Sequence, residues 1–169
     1  MTDNHLLHHD PYYRLGVGMM VVNHHGNVLV CQRADMAKTG FIDAWQMPQG
    51  GLDHEEDPQA AALRELEEEI GTANVTIIAE SSDWLSYDLP KQLSDQLWGG
   101  RYVGQRQKWY LMRYDGYESE INLETDHPEF VAYKWIKPAE VVDLIVDFKR
   151  DLYREVLAEF LPYMGVSSD

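Results

Sequence analysis

Gly50-Gly51-Leu52-Asp53-His54-Glu55-Glu56-Asp57-Pro58, leading on to Arg64-Glu65-Leu66-Glu67-Glu68-Glu69-Ile70-Gly71, is the stretch whose reading decides the fold. Two glycines make a turn, and the turn feeds a helix. Asp57 suits the N-cap, because its carboxylate can accept from an orphan first-turn N–H. Pro58 suits the first helical position, where its missing N–H has no partner anyway. Gly71 suits the position just past the last turn. The spacing predicts a helix over 58–70. At about 100° per residue, Leu63, Leu66 and Ile70 share one narrow stripe, with Ala62 on its margin, and are candidate core contacts. Glu65, Glu68 and Glu69 share another, spaced i,i+3 and i,i+4, where side chains are neighbours.

Like charges at that spacing cost roughly a few tenths of a kcal/mol per pair. An acidic helix face is most often simply solvated. Three carboxylates beside a Gly-Gly turn are nevertheless the oxygen-rich donor set that a hard divalent cation takes, with phosphate oxygens and water completing its shell. Glycine allows close backbone approach, so the Gly50 carbonyl is a candidate further ligand.

Outward from the helix, the chain reads as alternating strands and turns. Leu15 to Val22 and Val28 to Arg33 are predicted strands of a hairpin around Asn23-His24-His25-Gly26-Asn27. Ala34 to Ala44 reads as a long loop, with Lys38 a candidate phosphate contact. Asn74 to Ala79, Ser82 to Leu89, Gln105 to Met112 and Val131 to Ile136 are further predicted strands, and Pro90 to Arg101 a second long loop. Arg106 and Lys108 alternate onto one face of their strand. Pro138 starts a helix over 139–144, and a last helix follows from Asp147 to about Leu161.

At 169 residues a single domain is expected, over 12–162, between a flexible leader (1–11) and a tail (163–169). His5, His8 and His9 read as part of that polar leader rather than as a metal site. The one cysteine, Cys31, excludes an internal disulfide and fits a reducing cytoplasm. Its apolar neighbours make it a buried strand thiol. No apolar run approaches the roughly 18 residues of a membrane span, and the first residues lack a signal-peptide core, so no membrane partner is expected. The net charge of −15 argues against sequence-blind adhesion to nucleic acid, DNA included, which needs many Lys and Arg contacts. Capture of a phosphate-rich end through metals and a local basic patch remains compatible with it.

The opening stretch also carries a resemblance. Gly50, five residues, Glu56, seven residues, then Arg64-Glu65-Leu66-x-Glu68-Glu69-x-Gly71 is similar, almost position for position, to the signature of the Nudix hydrolases. Thr72 departs from it, where the family usually has an aliphatic residue. The likeness extends across most of residues 12 to 160. Tyr13-Arg14-x-Gly16-Val17-Gly18, Trp45-Gln46-Met47-Pro48-Gln49-Gly50-Gly51, Trp84-Leu85-x-Tyr87-x-Leu89-Pro90-Lys91, Gly104-Gln105-x-Gln107-Lys108-Trp109 and Phe148-Lys149-Arg150-Asp151-x-Tyr153 resemble the bacterial RNA pyrophosphohydrolase branch.

That resemblance implies an α/β fold, an α/β/α sandwich around a central mixed β-sheet with the signature helix packed on it. It implies hydrolysis of phosphoanhydride bonds, here trimming of a 5′-triphosphorylated RNA end to a monophosphate with release of pyrophosphate, a step that promotes mRNA decay. By resemblance, Glu65, Glu68 and Glu69 bind Mg2+ or Mn2+, two to three ions with substrate, and Glu129 is a further acid near the metals. Glu68, Glu69 and Glu129 all stay open as the general base. Arg64 orients the motif loop by pairing with acids, with Gly50, Glu56 and Gly71 also structural. Arg14, Arg33, Lys108 and Lys149 match positions that hold phosphate or RNA, Tyr87 belongs to the same substrate set, and Phe148 would stack on a base. The nearest rival is a diadenosine polyphosphate hydrolase of Ap4A or Ap5A type. A non-catalytic nucleotide-binding protein of the same fold is the remote one. Protein partners are left open.

Overall fold

The structure is a computed structural model and describes residues 12–34 and 45–164. Lys38 and the histidines at 5, 8 and 9 lie outside the described residues. In chain order the elements are β1 (Tyr13–Val22), β2 (Val28–Arg33), β3 (Trp45–Gln46), β4 (Gln49–Gly51), α1 (Pro58–Ile70), β5 (Val75–Glu80), β6 (Leu85–Asp88), α2 (Lys91–Gln96), β7 (Gly104–Tyr114), β8 (Phe130–Ile136), α3 (Pro138–Leu144) and α4 (Arg150–Phe160).

The predicted hairpin forms. Asn23 Oδ1 accepts from the backbone N–H groups of His25 and Asn27, both at 3.0 Å, and Gly26 takes φ 78°. This is the self-bonding that makes Asn a turn residue. β1 runs parallel to β7 from Tyr13↔Gly104 to Val22↔Arg113 and antiparallel to β4, while β2 pairs antiparallel with β3 and β8, and β5 and β6 pair antiparallel with β7. The sheet is therefore mixed, as the resemblance implied.

Both faces of the sheet are covered, which explains the continuous apolar runs at the end of β1 and over residues 109–112 of β7. On one face Val17, Met19, Val21, Leu29, Tyr110 and Met112 meet Ala61, Ala62, Leu66 and Ile70 of α1. On the other, Met20, Val30, Trp109 and Leu111 meet Val141 of α3 and Tyr153, Val156 and Phe160 of α4. Cys31 is free and fully buried, and burial raises its thiol pKa. No helix among the described residues is long and apolar enough to cross a membrane.

The expected loop over 90–101 is instead helix α2 followed by a 3-10 turn, Leu97–Gly100. The Pro90 carbonyl accepts from the N–H groups of Leu93 and Ser94, and Leu93 is buried. A helix this short shows less than two turns of period, so burial of Leu93 decides it rather than a pattern. The last helix likewise begins with a 3-10 turn, Asp147–Lys149, before α4.

Candidate active site

Local chemistry fixes α1 at both ends. Asp57 accepts from Ala60 N at 3.0 Å, and Gly71, at φ 81°, donates its N–H to the Glu67 carbonyl. With its apolar stripe against the sheet, α1 presents its three glutamates unequally. Glu68 is largely exposed at 58%, Glu65 is 13% exposed and Glu69 is 2% exposed. Neither oxygen of Glu69 meets a donor among the described residues. Burial pushes the Glu69 carboxyl well up, with Glu129 and Glu65 adding like charge and Arg33 pulling the other way. Burial also pushes Glu65 up to about 7 against the pull of Arg64, with Glu68 and Glu129 adding repulsion.

Arg64 ties this face to the loop before it. Its Nε donates to Glu56 Oε2 at 2.7 Å and its Nη2 to Glu56 Oε1 at 2.8 Å and to the Gly51 carbonyl at 3.2 Å. Its Nη1 reaches Glu65 at 3.0 Å and Glu68 at 3.1 Å. The fork holds Glu56 below the usual carboxylate range, and a bidentate guanidinium is suited to this geometry. Gly50 lies against Glu65: a Cβ there would stand 2.1 Å from the carboxyl group. A Cβ on Gly51 would stand 2.1 Å from Arg14 Nη2.

Glu129 enters from the far end of the chain. Its carbonyl accepts from Ala34 N at 2.9 Å, just beyond β2, where a bulge shifts the β2–β8 register between Gln32 and Arg33. Glu68, Glu69 and Glu129 border an open groove of about 710 Å3 that also includes Arg64, Thr125, Asp126 and His127. Glu65 stands beside it, near enough to Glu68 and Glu129 for their charges to add to the upward push of burial on its pKa. Among the described residues no three acidic, His or Cys side chains converge into a ready-made metal cage. The donor chemistry fits a divalent cation all the same. The acids offer carboxylate oxygens, one pair, on Glu69, buried without a donor and another, on Glu65, pushed up chiefly by burial.

A second concavity, about 240 Å3, opens on the α4 side of the sheet and includes Arg33, Tyr87, Trp98, Gln105, Phe148 and Lys149. Lys149 is buried and donates to Gln46 Oε1 and Gln49 Oε1, each at 3.4 Å, with its Nζ 5.2 Å from the Tyr87 ring centroid. Tyr87 and Phe148 pack with centroids 6.0 Å apart, and burial pushes the Tyr87 hydroxyl up to about 12. Phe148 is half-buried on the 3-10 turn rather than on the helix itself.

The structure thus sorts the sequence candidates. Glu68, Glu69 and Glu129 border the groove, Glu65 and Gly50 meet beside it, and Glu56, Arg64 and Gly71 shape it. Arg33, Tyr87, Phe148 and Lys149 border the other. Arg33 borders the second pocket, and its charge reaches Glu69 as well as Tyr87, in each opposing the larger upward push of burial. Arg14 sits at the rim, against Gly51 and 4.8 Å from the Trp98 ring centroid. Lys108 is not brought to the second pocket. It alternates with Gln105 and Gln107 onto the α1 side of β7, the side of Tyr110 and Met112. Sequence reasoning passed over Gln46, Gln49, Gln105 and Trp98. The buried glutamines gave no periodic signal: Gln46 and Gln49 lie on strands of two and three residues, and Gln105 in the polar start of β7.

The NUDIX domain family model matches residues 12–160. The RNA pyrophosphohydrolase of Rhodospirillum rubrum is 52% identical over 147 residues, covering 87% of this chain and 86% of that protein. Proteins of the same name from Roseobacter denitrificans (52%; 88% of this chain, 91% of that one) and Rickettsia conorii (44%; 95% and 97%) are also similar. Among solved structures, the E. coli dihydroneopterin triphosphate pyrophosphohydrolase aligns with a TM-score of 0.64 at 19% identity over 87% of this chain and 98% of that one. A C. elegans Ap4A hydrolase complex aligns with a TM-score of 0.60 at 18% identity over 88% and 99%. At these identities the structural likeness speaks for the fold.

Proposed function

The chain belongs to the Nudix hydrolase family, and from that premise we propose that it is an RNA 5′-pyrophosphohydrolase. It would convert 5′-triphosphorylated RNA ends to monophosphates in the cytoplasm and so promote mRNA decay, through one catalytic domain over 12–162. Relatives bearing that activity as their name, at 52% identity over most of both chains, carry the reading. The geometry agrees with it: a cation-seeking acid face adjoins a basic, aromatic pocket, as a phosphate chain joined to a base requires.

Nudix hydrolases use divalent metal ions. In this protein Glu65, Glu68, Glu69 and Glu129, with the Gly50 carbonyl, would hold them, as two or three Mg2+ or Mn2+ ions with substrate. Such ions supply charge neutralisation for the polyphosphate and a lowered pKa for the attacking water. Phosphoryl transfer otherwise asks mainly for positioning. Arg64 keeps the Gly50–Gly51 turn and the Glu65 and Glu68 carboxylates in one rigid unit. Arg33, Lys149 and Arg14 receive the phosphates and the RNA backbone. Phe148, beside Tyr87, receives a base by stacking.

In the reaction, water forms a bond to phosphorus of the α–β anhydride. The P–O bond to pyrophosphate breaks, the electron pair leaves on the pyrophosphate oxygen, and the water proton passes to a carboxylate. Glu68 and Glu129 are exposed and reach solvent water, whereas the buried Glu69 is suited to ligation.

Hydrolysis of diadenosine polyphosphates is the second reading, favoured by the net charge of −15, which suits a small nucleotide better than a long polyanion. A side-by-side measurement of kcat/KM for triphosphorylated RNA and diadenosine polyphosphates, with Mg2+ or Mn2+ at one salt concentration, separates the two. A higher value for RNA is expected. A clear preference for the dinucleotides would replace the first reading with the second.

A further inference from the structure

Trp98 has φ 49° and ψ 35°, the left-handed backbone that a bulky side chain avoids. Such conformations persist where the surroundings over-determine them, and they cluster at ligand sites. The surroundings of Trp98 are specific. The Arg14 guanidinium lies over its ring at 4.8 Å, and Tyr102 meets it edge-on with centroids 6.0 Å apart. Arg101 in turn lies over Tyr102 at 5.3 Å. Arg14 is itself wedged against Gly51, beside the acid face. The indole is therefore anchored to the rim of the phosphate site while it lines the 240 Å3 pocket that also holds Phe148 and Lys149.

That pocket is built for something polar and flat. Gln46 Nε2 and Gln105 Oε1, on side chains 3% and 4% exposed, have no hydrogen-bond partner among the described residues. Both side chains line the pocket, and buried amide atoms are normally satisfied, so a ligand edge carrying a donor and an acceptor would satisfy them on a turn of the two amides. A phosphate has only acceptors and an apolar ring has neither. A heteroaromatic base has both on its edge. The volume lies below the roughly 300 Å3 at which drug-sized pockets begin and has room for one ring system.

We propose that Trp98 is a specificity-determining wall of this slot, on which a nucleobase of the single-stranded RNA end stacks; the inference rests on the RNA reading above. The Arg14–Trp98 pair then fixes the distance between the stacked base and the phosphate site, so the slot selects a base at a set position from the 5′ end.

Trp98→Leu keeps an apolar side chain and removes the ring face, and Trp98→Phe keeps a smaller face. Binding of a 5′-monophosphorylated RNA pentamer, intact or lacking its first or second base, is measured in Mg2+ for both variants and the wild type. Pyrophosphate release from the triphosphorylated pentamer is followed in parallel. Trp98→Leu should weaken the intact RNA about 5- to 50-fold, with Trp98→Phe in between, and should match the wild type on one of the two abasic RNAs. Should Trp98→Leu not fold, the same three binding measurements on Trp98→Phe carry the information, and the RNA-induced quenching of indole fluorescence lost relative to the wild type assigns that signal to Trp98 among the chain's five tryptophans. Unchanged affinity in Trp98→Leu, equal losses on all three RNAs, quenching blind to the missing base, or no RNA binding by the wild type would each overturn the proposal. Base-dependent binding without pyrophosphate release would instead overturn the RNA hydrolase reading and leave the Trp98 slot standing.

Discussion

Glu65→Gln should stabilise the metal-free protein, and only at neutral and higher pH. Burial raises the Glu65 carboxyl from 4.5 to about 7. A tenfold change in acidity corresponds to about 1.36 kcal/mol between protonation states, so the charged form costs the fold about 3 kcal/mol. The side chain is 13% exposed, so solvent screening removes little of this. The sign follows from proton linkage: the folded carboxyl holds its proton to higher pH than the unfolded one. Its contribution to stability is complete below about pH 4.5 and is lost as pH rises to about 7. Glutamine does not ionise, keeps an oxygen that can accept from Arg64, and escapes the loss. For a chain of this size 1 kcal/mol moves Tm by roughly 2–4 °C. Thermal denaturation in EDTA should show variant and wild type nearly equal at pH 4 and the variant about 6–12 °C higher at pH 8. Adding Mg2+ at pH 8 should raise the wild type more than the variant, which keeps the other carboxylates but lacks this one. A variant no more stable than the wild type at pH 8, or ahead by the same margin at both pH values, would refute the account of a crowded buried acid.

Three further outcomes are expected. Gly50→Ala places a methyl group 2.1 Å from the Glu65 carboxyl, and displacement of a reacting-site group by about 1 Å can cost on the order of 100-fold in rate, so kcat should fall by about that factor; a near-normal kcat would mean that the Glu65 position is not critical. Glu69→Gln should abolish hydrolysis while circular dichroism and cooperative unfolding stay intact, and near-normal turnover would reject Glu69 as a ligand. Phe148→Ala should weaken binding of triphosphorylated RNA, roughly 1–3 kcal/mol for a lost stack, far more than binding of inorganic pyrophosphate. Equal losses in titrations with both would mark the ring as core packing.

The helix 58–70 was readable to the residue because caps are local chemistry, and Asp57, Pro58 and Gly71 act within one turn of their own positions. Its apolar stripe was readable in part: Ala62, Leu66 and Ile70 are buried, whereas Leu63 is half-buried and Ala61 joins the core beside it. The division of labour among the glutamates was not. Sequence puts Glu65, Glu68 and Glu69 on one face, but the closeness of Glu69 to Arg33 and Glu129 depends on the pairing of strands β2 and β8, which lie far apart in the chain. The alternation of Arg106 and Lys108 was readable too, whereas the direction they face is decided by the side of the sheet on which α1 packs. Helix α2 and the strained Trp98 escaped reading because nothing periodic marks a single turn, and a positive φ at tryptophan has no sequence signature.

Arg33 shows how an acidic protein can hold a polyanion. It borders the aromatic pocket, and its charge reaches Glu69 of the acid face as well as Tyr87. Without divalent ions the guanidinium of Arg64 is already taken up by Glu65 and Glu68, and the groove offers a phosphate little attraction. The pocket beyond carries Lys149 buried among amides and rings, and on the proposed reading it would need no ion to attract the base and sugar-phosphate of an incoming end. Affinity for the nucleotide and readiness for hydrolysis are therefore controlled by different charges. The positive side chains are permanent, while the charge that admits the polyphosphate comes and goes with the metal. A net charge of −15 then works as a filter. Nucleic acid is held where local basic and aromatic groups outweigh the overall repulsion, at an end that can reach the pocket, and is pushed away along the rest of its length.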